Sequence, residues 1–137
     1  MKLARFFGVL LLVCVGTQFP LQAREHPPVV ANAPETTARQ LQDDLTQGKK
    51  VLVIDVRSPK EYAEAHVPGS INIPLGELSK KIAEMKVSKD TTIVTLCEHG
   101  GRASRAVEEL RKLGYNATSY CKLDSWKREG YKTEKGS

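Results

Sequence analysis

Cys97, Gly100, Gly101 and Arg102 stand within six residues of one another in the stretch IVTLCEHGGRAS, residues 93–104. Apolar, β-prone residues lead into the thiol, and a short charged, glycine-rich turn leads out of it. A thiolate is a soft nucleophile, and it persists where backbone N–H groups and positive charge surround the sulfur. Two glycines permit the left-handed backbone that lets successive amides converge on one point, an anion-binding nest. A helix opening beside Arg102 adds the positive end of its dipole, and the guanidinium adds a fixed charge. Cys97 is therefore the candidate nucleophile, with Glu98, His99, Gly100, Gly101 and Arg102 as the residues that would line a bound substrate. The alternative is a buried cysteine that acts as a small hydrophobe.

Other polar residues carry two readings each. Asp55 and Arg57, at the end of an apolar run, are expected to hold the Cys97 loop through structural hydrogen bonds, with direct substrate contact as the alternative. His99 either orients an acceptor or is a solvent-facing loop residue. Glu98 opposes negative charge on the neighbouring sulfur unless its side chain turns away. His66 reads as a core or turn histidine. The histidines and cysteines are scattered without the spacing of a metal site, so neither metal nor cofactor is expected.

The positions of these residues follow from the elements around them. VLVIDV (51–56), SINIP (70–74), TTIVTL (91–96) and NATSY (116–120) have the length and β-propensity of strands, and the first is apolar throughout, as in a strand buried on both faces. Helical patterns lie between them. TTARQLQDDLTQG (36–48) has a capping threonine with Ala38, Leu41 and Leu45 on one face. SPKEYAEAH (58–66) opens with Ser58 before Pro59. GELSKKIAEM (76–85) places Leu78, Ile82 and Met85 inward, and GRASRAVEELRKLGY (101–115) does so with Ala106, Val107, Leu110 and Leu113 before Gly114 stops it. LDSWKREG (123–130) puts Trp126 in the core, and KREGYKTEK (127–135) reads as a solvated tail. Strands alternating with helices predict an α/β fold, a parallel sheet with helices on both faces. Ligands bind such sheets at the carboxyl ends of the strands, and there the sequence places Cys97.

The chain of 137 residues, 40% hydrophobic, is enough for one domain and one site. Its formal net charge of +5 includes Lys2 and Arg5, and no lysine–arginine stripe accompanies it, which argues against nucleic acid as a partner. Residues 1–23 have the parts of a secretory signal peptide: the basic Lys2 and Arg5, an apolar run from Phe6 to Val15, and Ala23 at the cleavage point. The run is short for a membrane span, which takes about 20 residues. The expected location is periplasmic or secreted, with an uncleaved anchor as the alternative. Cys14 would leave with the signal, so Cys97 and Cys121 remain in an oxidising compartment. Residues 24–35, with three prolines, read as a flexible leader, and 36–137 as the domain.

CEHGGR resembles the active-site loop of the rhodanese (thiosulfate sulfurtransferase) family, Cys-x-x-Gly-x-Arg. IDVRSPKEYAEAHVPGSINIP is similar to the second hallmark of that family, an Asp-x-Arg followed by Glu-Tyr, a histidine, Pro-Gly and a strand ending in Asn-Ile-Pro, and LDSWKREGY matches its closing helix. The resemblance, over residues 36 to about 135, implies a sheet of about five parallel strands. It implies a sulfurtransferase in which a small anionic donor such as thiosulfate gives a sulfane sulfur to Cys97, and a thiophilic acceptor, cyanide or a thiol, removes it. The chain is similar to the single-domain secreted or periplasmic members, working as a monomer. Three departures stand out: Ala65-His66 replaces Gly-His, the family's first short strand is not visible before Thr36, and Cys121-Lys122 replaces a glycine pair before the last helix. Cys121 is thus a candidate resolving thiol for Cys97, or else it fills the glycine space. Two other functions remain open: a non-catalytic binding or redox-sensing module on the same fold, and a phosphatase or arsenate reductase, for which the loop is short.

Overall fold

Strand β1 (Val51–Asp55) is apolar until its last residue, and β3 (Thr92–Cys97) becomes fully buried after its first, so these two form the centre of the sheet. They pair in parallel from Val51 opposite Thr92 to Asp55 opposite Leu96. Parallel pairing needs a crossover, and the crossovers supply the helices. A computed structural model describes residues 28–116 and 118–137, and the expected signal segment, 1–23, lies outside the described residues. Four strands in the order β2-β1-β3-β4 form the sheet, with β2 at Ile71–Asn72 and β4 at Thr118–Lys122. Helices α1 (Ala38–Thr46), α2 (Pro59–Glu64), α3 (Leu78–Glu84), α4 (Gly101–Lys112) and α5 (Leu123–Arg128) connect and cover them, with a 3₁₀ turn at Leu75–Glu77.

The helices begin where local chemistry starts them. Thr37 and Ser58 cap α1 and α2 through full capping boxes with Gln40 and Glu61, which satisfies the first free amides. On one face of the sheet Leu41, Leu123 and Trp126 pack on Val53, Val94, Leu96 and Cys121. On the other, Leu78, Ile82, Ala106, Val107 and Leu110 pack on Ile54, Ile93, Cys97 and Tyr120. The α/β architecture with helices on both faces is the one expected.

Several expectations are corrected. The leader ends earlier than residue 35: Val30 N donates to Ser104 Oγ, Tyr120 N to the Pro34 carbonyl at 2.9 Å, and Thr36 N to the Tyr120 carbonyl at 2.8 Å. Glu35 thus makes a parallel bridge to Tyr120 and supplies the fifth, minimal strand at the β4 edge. A proline fits an edge position because its carbonyl still accepts while its missing N–H is not needed. Strand β4 runs two residues past NATSY, through Cys121 and Lys122, because β3 continues to Cys97 and offers a partner for each. Met85 and Leu113, each the residue that follows its helix, are exposed at 44% and 39% rather than inward. The tail is docked: Trp126 Nε1 donates to the Lys132 carbonyl, and His66 and Glu134 exchange backbone hydrogen bonds of 2.9 Å. His66 is a turn histidine, stacked on Tyr62 with 3.8 Å between ring centroids.

Within α4 these positions give a direct contrast. Leu110→Ala is expected to lower the unfolding free energy by about 2–5 kcal/mol, since it opens a cavity among fully buried neighbours. Leu113→Ala should stay within about 0.5 kcal/mol. Urea denaturation followed by circular dichroism measures both, and equal losses would mean that the helix is rotated from the register described.

Candidate active site

The last residue of β3 is Cys97, 2% exposed, with its sulfur at the carboxyl edge of the sheet. Gly100 then takes a left-handed backbone, φ +94°, and serves as the N-cap of α4. This conformation turns its amide back onto the sulfur: Gly100 N lies 3.1 Å from Cys97 Sγ, and Ala103 N 3.3 Å. The position demands glycine twice over, because a Cβ there would stand 2.9 Å from Tyr120 Cε2 and because L side chains rarely adopt this φ. Thr95 Oγ1 donates to the Ala103 carbonyl at 2.8 Å, tying the strand to the first turn of α4 so that the second amide stays aimed. The two amides on the sulfur come from Gly100 in the loop and Ala103 in the helix, while Gly101, expected to share the left-handed backbone, is the first residue of α4.

Around the nest the charges are paired. Arg102 meets Glu61 of α2 through two hydrogen bonds of 2.8 Å. The guanidinium, together with Ser58 and against the opposing effect of burial, holds the Glu61 carboxyl down at about 2, and Glu61 raises Arg102 in turn. Arg57 is buried, with Nε and Nη2 on the Asp55 carboxylate at 2.8–3.1 Å and Nη2 also on the Ala65 carbonyl at 2.6 Å. Asn72 Nδ2 donates to the Asp55 and Arg57 carbonyls. Asp55 and Arg57 therefore lock the end of β1 to the turn before β2, and these bonds do not reach the Cys97 loop they were expected to hold. Arg57 also reaches Glu98 at 3.5 Å.

Glu98 is drawn toward α5, where Lys127 Nζ sits 2.9 Å from its carboxylate and the Asp124 amide donates to its carbonyl. His99 Nδ1 is 3.4 Å from Asp124 Oδ2 on the exposed side. Cys121 does not join the site. It is in register with Leu96, while Lys122 is in register with Cys97, so the strand alternation sends the Cys121 thiol to the opposite face. There it packs with Leu96, Leu123 and Trp126, and burial pushes it up to about 12. Both described cysteines are free thiols. A resolving role for Cys121 is thereby corrected: a disulfide needs facing Cβ atoms, and these two point apart. The alternative reading, a space-filling residue, is the one the packing supports.

Sequence reasoning missed Glu61, Glu35 and Lys122 as neighbours of the site. Glu61 carried no reading of its own in the sequence, and its bond to Arg102 spans 41 residues. Lys122 carried a signal, the loss of the glycine pair. Among the described residues, no group of three or more histidine, cysteine, aspartate or glutamate side chains is arranged to hold a metal ion.

Fold and site together define an α/β protein organised around one strand-end thiol in an amide cradle. The chain belongs to the rhodanese-like domain family, whose model matches residues 37–128. It is 42% identical over 62 residues, 45% of this chain and 60% of the relative, to thiosulfate sulfurtransferase PspE of Escherichia coli (strain K12). It spans less than half the length of several other curated relatives. Among solved structures, a rhodanese-related protein from Thermoplasma volcanium matches with a TM-score of 0.64 and 32% identity, covering 74% of this chain and 97% of that one. A structure described as a rhodanese with anions from E. coli matches with a TM-score of 0.53 and 34% identity, covering 63% of this chain and 99% of that one.

The Glu61–Arg102 pair gives a pH test. A carboxyl lowered from 4.5 to about 2 adds stability that is fully present above pH 4.5 and is lost as pH falls toward 2. Glu61→Gln, which keeps a capping side chain, should flatten the stability profile in that window and leave its shape at pH 6–8 unchanged. An unaltered acid limb would mean that the pair is not formed in solution.

Proposed function

We propose that this chain is a sulfurtransferase that carries a sulfane sulfur on Cys97 as a persulfide. The observation that carries the reading is the pair of amides, Gly100 N and Ala103 N, aimed at Cys97 Sγ from 3.1 and 3.3 Å. The membership in the rhodanese-like family and the sulfurtransferase name of a close relative support it. In the first half-reaction the Cys97 thiolate attacks the outer sulfur of thiosulfate or a similar anionic donor. A sulfur–sulfur bond forms to Cys97, the donor's own sulfur–sulfur bond breaks, and its electron pair leaves with sulfite. The negative charge then lies on the outer sulfur of the persulfide, within reach of the same loop amides. In the second half-reaction cyanide or a thiol attacks that outer sulfur and the Cys97 thiolate is returned.

The geometry assigns Arg102 a part different from a free anion seat. Its two bonds to Glu61 fix the first turn of α4 against α2, so its charge reaches the donor through the position of the loop. A structural neighbour is described as a rhodanese with anions, which supports an anionic donor for this chain. Cys97→Ser is expected to lower thiocyanate formation from thiosulfate and cyanide by about a thousandfold or more, because the nucleophile is lost. A circular dichroism spectrum like that of the unaltered chain would show that the fold remains. Turnover within about tenfold of the unaltered chain would refute the persulfide on Cys97, whereas no turnover in the unaltered chain itself would favour a binding or sensing module.

The location belongs to the same proposal: residues 1–23 act as a signal peptide, and the mature chain begins at Arg24 in the periplasm or outside the cell. N-terminal sequencing of protein isolated from those fractions should return Arg24-Glu25-His26. Recovery of Met1 would contradict cleavage.

A further inference from the structure

Arg57, Arg102, Lys127 and Lys122 each have a carboxylate partner near the Cys97 loop, and the partners differ in how firmly they hold. Arg57 is buried on Asp55. Arg102 and Glu61 meet in the bidentate geometry that a guanidinium and a carboxylate share, which adds both strength and direction. Lys127 holds Glu98 on the α5 side. Lys122 is different in place and in grip. It is in register with Cys97 on the neighbouring strand, so the two side chains leave the same face of the sheet. Its stem runs along the glycine that makes the nest: a Cβ on Gly100 would lie 3.2 Å from Lys122 Cε and 3.3 Å from Cγ. Its ammonium lies 3.1 Å from one oxygen of Glu35 and 3.3 Å from the other, with the side chain 29% exposed. A lysine point charge in a partly solvated pair is the kind of cation that an incoming anion can recruit.

Glu35 reaches this position because the N-terminal segment bridges to β4, and Tyr120 Oη donates to the same carboxylate at 3.1 Å. The carboxylate therefore has a second hydrogen bond that keeps it in place when the ammonium lets go.

We propose that Lys122 is a donor-binding residue: its ammonium exchanges Glu35 for the anionic end of the sulfur donor while Cys97 takes the sulfane sulfur. The inference rests on the sulfur-transfer reading above and adds the residue of this chain that meets the anionic end of the donor. The bond that forms is Cys97 Sγ to sulfane sulfur, and the electron pair of the broken bond leaves with sulfite, whose charge the ammonium faces.

The test is steady-state sulfur transfer from thiosulfate to cyanide by the full chain, Lys122→Met, Lys122→Arg, Glu35→Gln and the double variant Lys122→Met/Glu35→Gln. Lys122→Met keeps the stem along Gly100 and removes the charge, so KM for thiosulfate should rise about fivefold or more with kcat within about twofold, while Lys122→Arg stays near the unaltered value. Glu35→Gln keeps an acceptor for Tyr120 and frees the ammonium, so KM should fall about twofold or more, and the double variant should match Lys122→Met alone. In the unaltered chain KM should climb with salt more steeply than in Lys122→Met. An unchanged KM in Lys122→Met, or salt dependence identical in the two chains, would overturn the proposal. Where Lys122→Met fails to fold, Glu35→Gln carries the test alone: a KM for thiosulfate that is unchanged or raised in that variant would overturn the proposal. Absence of any Cys97 persulfide in the unaltered chain at saturating thiosulfate would instead refute the sulfur-transfer reading itself.

Discussion

The left-handed turn at Gly100 is the constraint on which the rest of the site depends. It reverses the chain within three residues of Cys97, brings the Gly100 amide onto the sulfur, and starts α4 so that the Ala103 amide follows. Neither donor could reach the sulfur from a helix entered through ordinary backbone, and a residue with a Cβ would collide with Tyr120. The strength of such amides toward a charged sulfur comes from the low-dielectric setting: Cys97 is buried, so water competes poorly for the same charge.

The surrounding architecture works to keep that turn in place. Thr95 secures the first turn of α4 from below, Arg102 joins it to Glu61 on α2, and Glu98 joins the loop to Lys127 on α5. Under all of these the Asp55–Arg57 pair closes the end of β1 with its polar atoms matched, as a buried ion pair must be to avoid a large desolvation cost. The helical partners come from separate segments, Glu61 from α2 between β1 and β2, and Lys127 from α5 after β4. A shift of β3 by one residue would send Cys97 to the other face, where Cys121 now lies.

Much of this was legible in the sequence because it is written locally. VLVIDV is apolar but for Asp55 and TTIVTL is rich in β-branched residues, both of strand length, and Ser58-Pro59 spells a helix start. Cys97 to Arg102 contains its own glycines, so nest and nucleophile could be read together. What was not legible is written across distance. The bridge of Glu35 to Tyr120 has no pattern within a proline-containing segment, since it uses backbone groups that every residue has. The Glu61–Arg102 bond joins two motifs that each have a local explanation. Cys121 was misjudged because the face a strand residue occupies depends on where the strand ends, and β4 ends two residues later than its β-prone run suggests.

The central claim is that Cys97 alone accepts and holds the transferred sulfur. The most direct measurement is a single turnover without acceptor: excess thiosulfate is mixed with the reduced chain, sulfite is quantified, and the cysteine-containing peptides are weighed. The account predicts one sulfite per chain and one additional sulfur atom on the peptide that contains Cys97, with the Cys121 peptide unchanged. Sulfite release without a sulfur gain at Cys97, or the added sulfur on Cys121, would contradict it.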